Sequence, residues 1–265
     1  MLNNTVITNN KRNIKLILEY DGSGYAGWQR LNNTTGKKSV QNVLEDCISG
    51  YLGEDIKVIG SGRTDAGVHA LGQVANFYST SGISAEEMKN TINTLLPEDI
   101  KVIDLKEADR EFHSRYSARA KTYEYRISQG DVKPVFTRKY TLHVPENLDM
   151  DSMQKAAAYL TGTFDFKAFS TDRGDGKSTI RTIESIRIYR VKNARFKKST
   201  EEVRIAITGD GFLYNMVRII TGTLIEVGLG KRKAYDIMDI LKGKDRQLAG
   251  KTVSSVGLFL LEVRY

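Results

Sequence analysis

The stretch DIKVIGSGRTDAGVHALGQVANFY, Asp55 to Tyr78, sets two apolar runs on either side of a connection, GSGRTDAGVHA, Gly60 to Ala70. Both runs read as strands, DIKVI and GQVANFY, because β-branched and aromatic residues suit a half-buried pleated surface. The connection is over-furnished for a plain turn: it holds three glycines, Arg63, Thr64, Asp65 and His69. Upstream, NIKLILEY alternates Ile14, Leu16, Leu18 and Tyr20 on one face, which is strand periodicity. SVQNVLEDCISGYL then places Val40, Val43, Leu44, Cys47, Ile48 and Tyr51 at helical spacing, with Ser39 as N-cap. Downstream, SAEEMKNTINTLL reads as a second helix, with Ser84 and Glu87 spaced as a capping box. IKVIDLKEA closes the run as a strand. Strand, helix, strand, strand, helix, strand is the order of a split βαβ unit.

The rest of the chain repeats that order. KTYEYRI reads as a strand, and DMDSMQKAAAYLTG as a helix with Met153, Ala157 and Leu160 inward. IESIRIYRV and EVRIAIT read as strands. FLYNMVRIITGTLIEVG reads as a helix with Leu213, Met216, Val217, Ile220 and Leu224 on one stripe. A short helix at AYDIMDILKG and a last strand at VGLFLLEVRY follow. The halves share a pattern and no evident sequence identity. With a boundary near Asp109 to Ser117, the expected organisation is a flexible polar arm over 1–11, a first half over 12–110 and a second over 111–265.

Forty Lys and Arg against 32 Asp and Glu give the 265 residues a formal charge of +8, which suits a polyanionic partner. Arg110 to Arg126 holds five basic and two acidic residues, and Arg187 to Arg204 seven and two. On strands flanking a shared groove these stretches would track phosphates; charge alone equally describes two solvated faces. Cys47 is the single cysteine, so no internal disulfide forms, and three scattered histidines suggest no metal centre. No apolar run reaches membrane length and no signal peptide is visible, so the expectation is a soluble, cytoplasmic protein.

GSGYAG, Gly22 to Gly27, matches the glycine pattern of dinucleotide-binding loops. That mechanism needs a helix N-terminus at the third glycine, to meet the pyrophosphate. Here WQRLNNTTGKK follows, without helical periodicity, and the helix starts about twelve residues late. A glycine-rich loop is the better reading, with exposed Tyr25 and Trp28 offered for base stacking.

Taken residue by residue, the connection reads as a capped turn in which Arg63 pairs with Asp65. Tyr123 shares a strand face with Tyr125 and Ile127, as a core residue would. Arg218 lies off its helix's apolar stripe, as an ion-pairing surface residue would, and His69 reads as a packed histidine.

The motifs together say more. GRTDAGVHA with GQVANF resembles the signature of the TruA family of tRNA pseudouridine synthases. LEYDGSGYAGWQ, FHSRYSARAKTYEYRI and GDGFLYNMVRIITGTLIEVGLGKR resemble further family segments in the right order, from about residue 12 to 265. The resemblance implies an α+β fold of two ferredoxin-like halves. These would share a continuous, mostly antiparallel sheet with helices on one side and an active cleft between them. It implies Asp65 as the catalytic carboxylate, Arg63 as an arginine that intrudes into the RNA, and Tyr123 as the ring stacking on a flipped uracil. Arg218 becomes the partner of the aspartate, and Arg115, Arg119 and Lys121 become RNA contacts. It also implies a homodimer acting on tRNA uridines of the anticodon stem-loop, at positions 38, 39 or 40.

The chemistry suits these residue types. The N1–C1′ bond of uridine breaks, the uracil turns, and C5 bonds to C1′. No atoms are gained and no redox change occurs, so no cofactor or metal is called for. A carboxylate beside the sugar either attacks C1′ or takes a proton from C2′. A guanidinium nearby keeps it ionised in a closed pocket. Two departures stand out: VSSVGL, Val253 to Leu258, lacks the family's usual Ala-Pro pair, and QNVLE replaces a commoner Gln-Gly. Neither touches the proposed catalytic set, and both leave room for another RNA target such as ribosomal RNA. A non-catalytic RNA-binding module is the remaining alternative.

Overall fold

The computed structural model describes residues 11–32, 36–171, 176, 178–192 and 201–265. Nearly all of the expected arm over 1–11, and residues 193–200 of the second basic stretch, lie outside the described residues.

The strand-helix alternation becomes two copies of one small topology. The first half contains β1 (Arg12–Tyr20), α1 (Val40–Leu52), β2 (Ile59–Gly60), β3 (His69–Ser79), α2 (Ala85–Leu95) and β4 (Ile100–Ala108). The second contains β5 (Ala120–Gln129), β6 (Leu142–Val144), α3 (Met150–Leu160), β7 (Gly162–Asp165), β8 (Ile180–Lys192), β9 (Glu201–Gly209), α4 (Met216–Gly228), α5 (Asp236–Gly243) and β10 (Leu258–Arg264). Strand order in the first half is β4-β1-β3, with β2 on the far side of β3. In the second it is β10-β5-β9-β8, followed by β7. Each half therefore runs last, first, third, second, the ferredoxin-like order of a split βαβ unit. Pairing is antiparallel except for β6 on β5 and the seam, where β10 runs parallel to β3 through Phe259–His69 and Leu260–Ala70. That seam joins the halves into one sheet at the exit of the Gly60–Ala70 connection.

The alternation read from β1 is the buried face: Ile14, Leu16 and Leu18 are fully buried and Tyr20 nearly so. Ser39 caps α1 by accepting the Asn42 N–H (3.1 Å), and Asn42 Oδ1 accepts in return from Ser39. The asparagine that replaces a commoner glycine thus completes a capping box. Ser84 caps α2 by accepting the Glu87 N–H (3.2 Å).

Three local expectations are corrected. Of DIKVI only Ile59 joins the sheet, together with Gly60 that follows it. The N–H and carbonyl of Val58 instead bond the side chains of Glu45 and Gln41 on α1, so they are lost to a ladder. α4 begins at Met216, four residues after the apolar pattern starts, because Asn215 sits in the left-handed region. β6 and β7 were not foreseen, being too short for periodicity to show. No described helix is long and apolar enough to cross a membrane.

Gly22, in the turn after β1, lies flat against the Gly60–Ala70 connection. A Cβ there would overlap the Val68 carbonyl. Gly22→Ala is therefore expected to destabilise the fold by about 2 kcal/mol. In a chain of this size that lowers the melting temperature by about 4–8 °C in a circular-dichroism melt. An unchanged melting curve would show that this loop is free to move aside.

Candidate active site

The connection quoted at the outset is clamped from several sides, which aims its polar residues. Tyr20 OH, at the end of β1, bonds Thr64 Oγ1 (2.8 Å) in a buried contact, and Trp28 N–H donates to the Thr64 carbonyl (2.9 Å). Gly60 packs on the indole of Trp28, where a Cβ would come within 2.5 Å of the ring. Gln73 on β3 accepts from Ser61 Oγ (2.7 Å) and donates to the Gly62 carbonyl (3.0 Å). Lys121 Nζ on β5 donates to the Ser61 carbonyl (2.7 Å). At the exit, burial pushes the His69 imidazole below its usual value, against the pull of Asp21. The neutral ring accepts the Gly22 N–H at Nδ1 (3.2 Å) and donates Nε2–H to the Val256 carbonyl of the second half (3.3 Å).

Asp65 projects from this clamped turn with its side chain 30% exposed. Arg218, in the first turn of α4, reaches it from the second half: Nη1 lies 3.5 Å from Asp65 Oδ2. Arg218 Nε donates to the Val253 carbonyl (2.7 Å), and its Nη1 donates to Asn215 Oδ1 (2.8 Å). The departing run VSSVGL does therefore touch the site, contrary to the expectation above. It does so through main-chain carbonyls of Val253 and Val256, which any side chain would supply.

Tyr123 on β5 is 8% exposed and meets Phe212 edge to face, with ring centroids 5.3 Å apart. Burial pushes its phenol well above the ordinary range, and the nearby Asp65 carboxylate adds to that. It stays a neutral, largely apolar surface beside the carboxylate. Arg63, Arg115 and Arg119 are exposed.

Two other expectations fail. Tyr25 and Trp28 are 8% and 2% exposed: Trp28 lies under Gly60, and Tyr25 OH donates to Asp99 Oδ1 (2.5 Å). Neither ring is offered to a base. The glycine-rich loop fits this burial, and its helix starts only at Val40. Lys121 is largely withdrawn beneath the Gly60–Asp65 turn, where burial pushes its ammonium down to about 8. It supports the turn from inside, with its Nζ bonded to the Ser61 carbonyl. The basic stretches also lose members to internal pairing. Arg126 and Arg204 flank buried Glu124 at 2.8 and 3.4 Å, and Tyr189 OH donates to the same carboxylate. These residues occupy the sheet face opposite Tyr123, where alternation puts them. A cavity of about 510 Å³ on that face is lined by Arg126, Arg204, Tyr140 and Phe259 and includes none of Asp65, Tyr123 or Arg218.

Tyr20, Gln73 and Asn215 were not anticipated as residues of the site. Gln73 alone left a signal, a polar residue at a buried position of an apolar run.

Two ferredoxin-like halves on one sheet bring a carboxylate from one and a guanidinium from the other beside a neutral aromatic, and a carboxylate so paired has the chemistry of a base or a nucleophile. The family model for tRNA pseudouridine synthase matches residues 16–117 and 156–265. The tRNA pseudouridine synthase A of Acetivibrio thermocellus is 45% identical over 254 residues, 96% of this chain and 100% of its own. Those of Caldicellulosiruptor bescii and Clostridium kluyveri are each 46% identical with the same coverage. The chain belongs to the tRNA pseudouridine synthase family.

Proposed function

We infer that the chain isomerises uridine to pseudouridine in tRNA, on the 3′ side of the anticodon stem-loop, with Asp65 as the reacting carboxylate. The observation that carries this reading is the approach of Asp65 and Arg218 from opposite halves, 3.5 Å apart, beside Tyr123. A base stacked in a stem is out of reach and has to be extruded. Arg63, exposed two residues before Asp65, enters the space the base leaves in this reading, and Tyr123 offers the uracil a ring edge or face. Arg115 and Arg119 supply phosphate contacts. Arg218 holds the carboxylate ionised for attack at C1′ or proton removal at C2′. When C5 bonds to C1′, the hydrogen on C5 leaves, so tritium placed there reports turnover. Working as a homodimer is inferred from the family alone, working in the cytoplasm from a tRNA substrate, and the division into halves at residues 110 and 111 from the repeated strand-helix order.

The reading is tested by incubating the purified protein with unmodified tRNA transcripts and mapping pseudouridine by mass spectrometry of nuclease fragments. Conversion confined to the 3′ side of the anticodon stem-loop is expected. Conversion only of ribosomal RNA fragments offered in parallel would overturn it.

A further inference from the structure

Among the described residues, two besides glycines have positive φ: Lys244 at 52° and Asn215 at 62°. Lys244 ends α5, where a left-handed cap is commonplace. Asn215 is different, because it starts a helix. A residue in that place is normally extended and turns its side chain back onto the amides of the first turn. Asn215 makes no such bond. Its amide points elsewhere: Oδ1 accepts from Arg218 Nη1 (2.8 Å), and Nδ2 donates to Thr171 Oγ1 (3.3 Å). The guanidinium has only donors, so it sets which end of the amide faces it, and the Thr171 hydroxyl accepts from the other end.

We propose that Asn215 is a positioning residue, which holds the Arg218 guanidinium in the plane that presents Nη1 to Asp65. With Nε tied to the Val253 carbonyl, one further acceptor fixes the rotation of the planar group, and Asn215 Oδ1 is that acceptor. An unfavourable backbone and a forgone cap are kept for a contact that serves the arginine. The proposal rests on the reading of Asp65 and Arg218 as the reacting pair.

Asn215→Gly separates the two roles, since glycine accepts φ of 62° freely and offers no side-chain acceptor. The expected result is a melting temperature at or above that of the unchanged protein, with kcat in the tritium-release assay lowered about tenfold or more. That loss corresponds to one charged hydrogen bond. The dissociation constant for tRNA is expected to stay within about twofold, because both ends of the Asn215 amide are bonded within the protein. Asn215→Asp, which keeps an oxygen at the same place, is expected to recover at least half of the logarithmic loss. A glycine variant at full kcat overturns the proposal. So does one whose melting temperature falls along with activity, because Asn215 then only starts the helix. Equal impairment of the glycine and aspartate variants overturns it as well. Failure of the underlying reading would appear elsewhere, as activity surviving the loss of the Asp65 carboxylate.

Discussion

Asp65→Asn is expected to lower pseudouridine formation by at least about a thousandfold. Binding of tRNA should stay within about threefold of the unchanged protein. Asparagine has nearly the shape of aspartate but carries no ionised oxygen. It neither attacks C1′ nor takes a proton from C2′, so both candidate mechanisms stop at the same substitution. The turn that carries residue 65 is held at Ser61, Gly62 and Thr64 by Tyr20, Gln73, Lys121 and the backbone of Trp28, bonds that the substitution leaves in place. The fold should therefore stay intact. Removing a negative charge from a surface that meets phosphate leaves affinity equal or slightly tighter. Tritium release and filter binding on one preparation measure both quantities. Turnover surviving in the Asp65→Asn variant would remove Asp65 from the chemistry and leave an RNA-binding module as the better account.

Arg218→Lys is expected to lower kcat by about a hundredfold, although the charge is retained. The guanidinium is used as a fork: Nε on the Val253 carbonyl, Nη1 on Asn215 Oδ1 and towards Asp65 Oδ2. A lysine ammonium is a single point on a flexible stem and does not reproduce that geometry. An ordinary surface ion pair is worth about 0–1 kcal/mol, so exchanging its arginine for lysine changes little. The size of the effect thus separates the two readings of this contact. The double variant with Asp65→Asn should be no slower than Asp65→Asn alone, since residues acting as a unit are not additive. A kcat for Arg218→Lys within about fivefold of the unchanged protein would reduce the pair to surface decoration.

The alternation in β1, the Ser39 cap and the repeated strand-helix order were legible because local periodicity and capping rest on neighbours in the chain. The same reasoning missed DIKVI, whose Val58 is bonded to side chains of α1 instead of a strand. It also extended α4 back to Phe212, because the apolar pattern does not register a left-handed residue at Asn215. Exposure was the weakest inference. Tyr25 and Trp28 sit in a glycine-rich polar loop, which reads as surface. The loop folds inward, because Gly60 lets the indole lie against it.

By itself, the sequence determined the chemical inventory and the order of elements. One carboxylate among glycines, an arginine opening an apolar helix and a tyrosine on a strand are properties of local residue pattern. Resemblance along almost the whole chain attached a reaction to them. What belonged to the tertiary structure alone was their meeting. Asp65 and Arg218 are separated by more than half the chain, and the parallel pairing of β3 with β10 brings their two halves onto one sheet. Whether a basic residue faces solvent or a buried carboxylate was settled at the same level. Arg126 and Arg204 pair with Glu124, and Lys121 lies under the turn, because strand register decides which face each one takes.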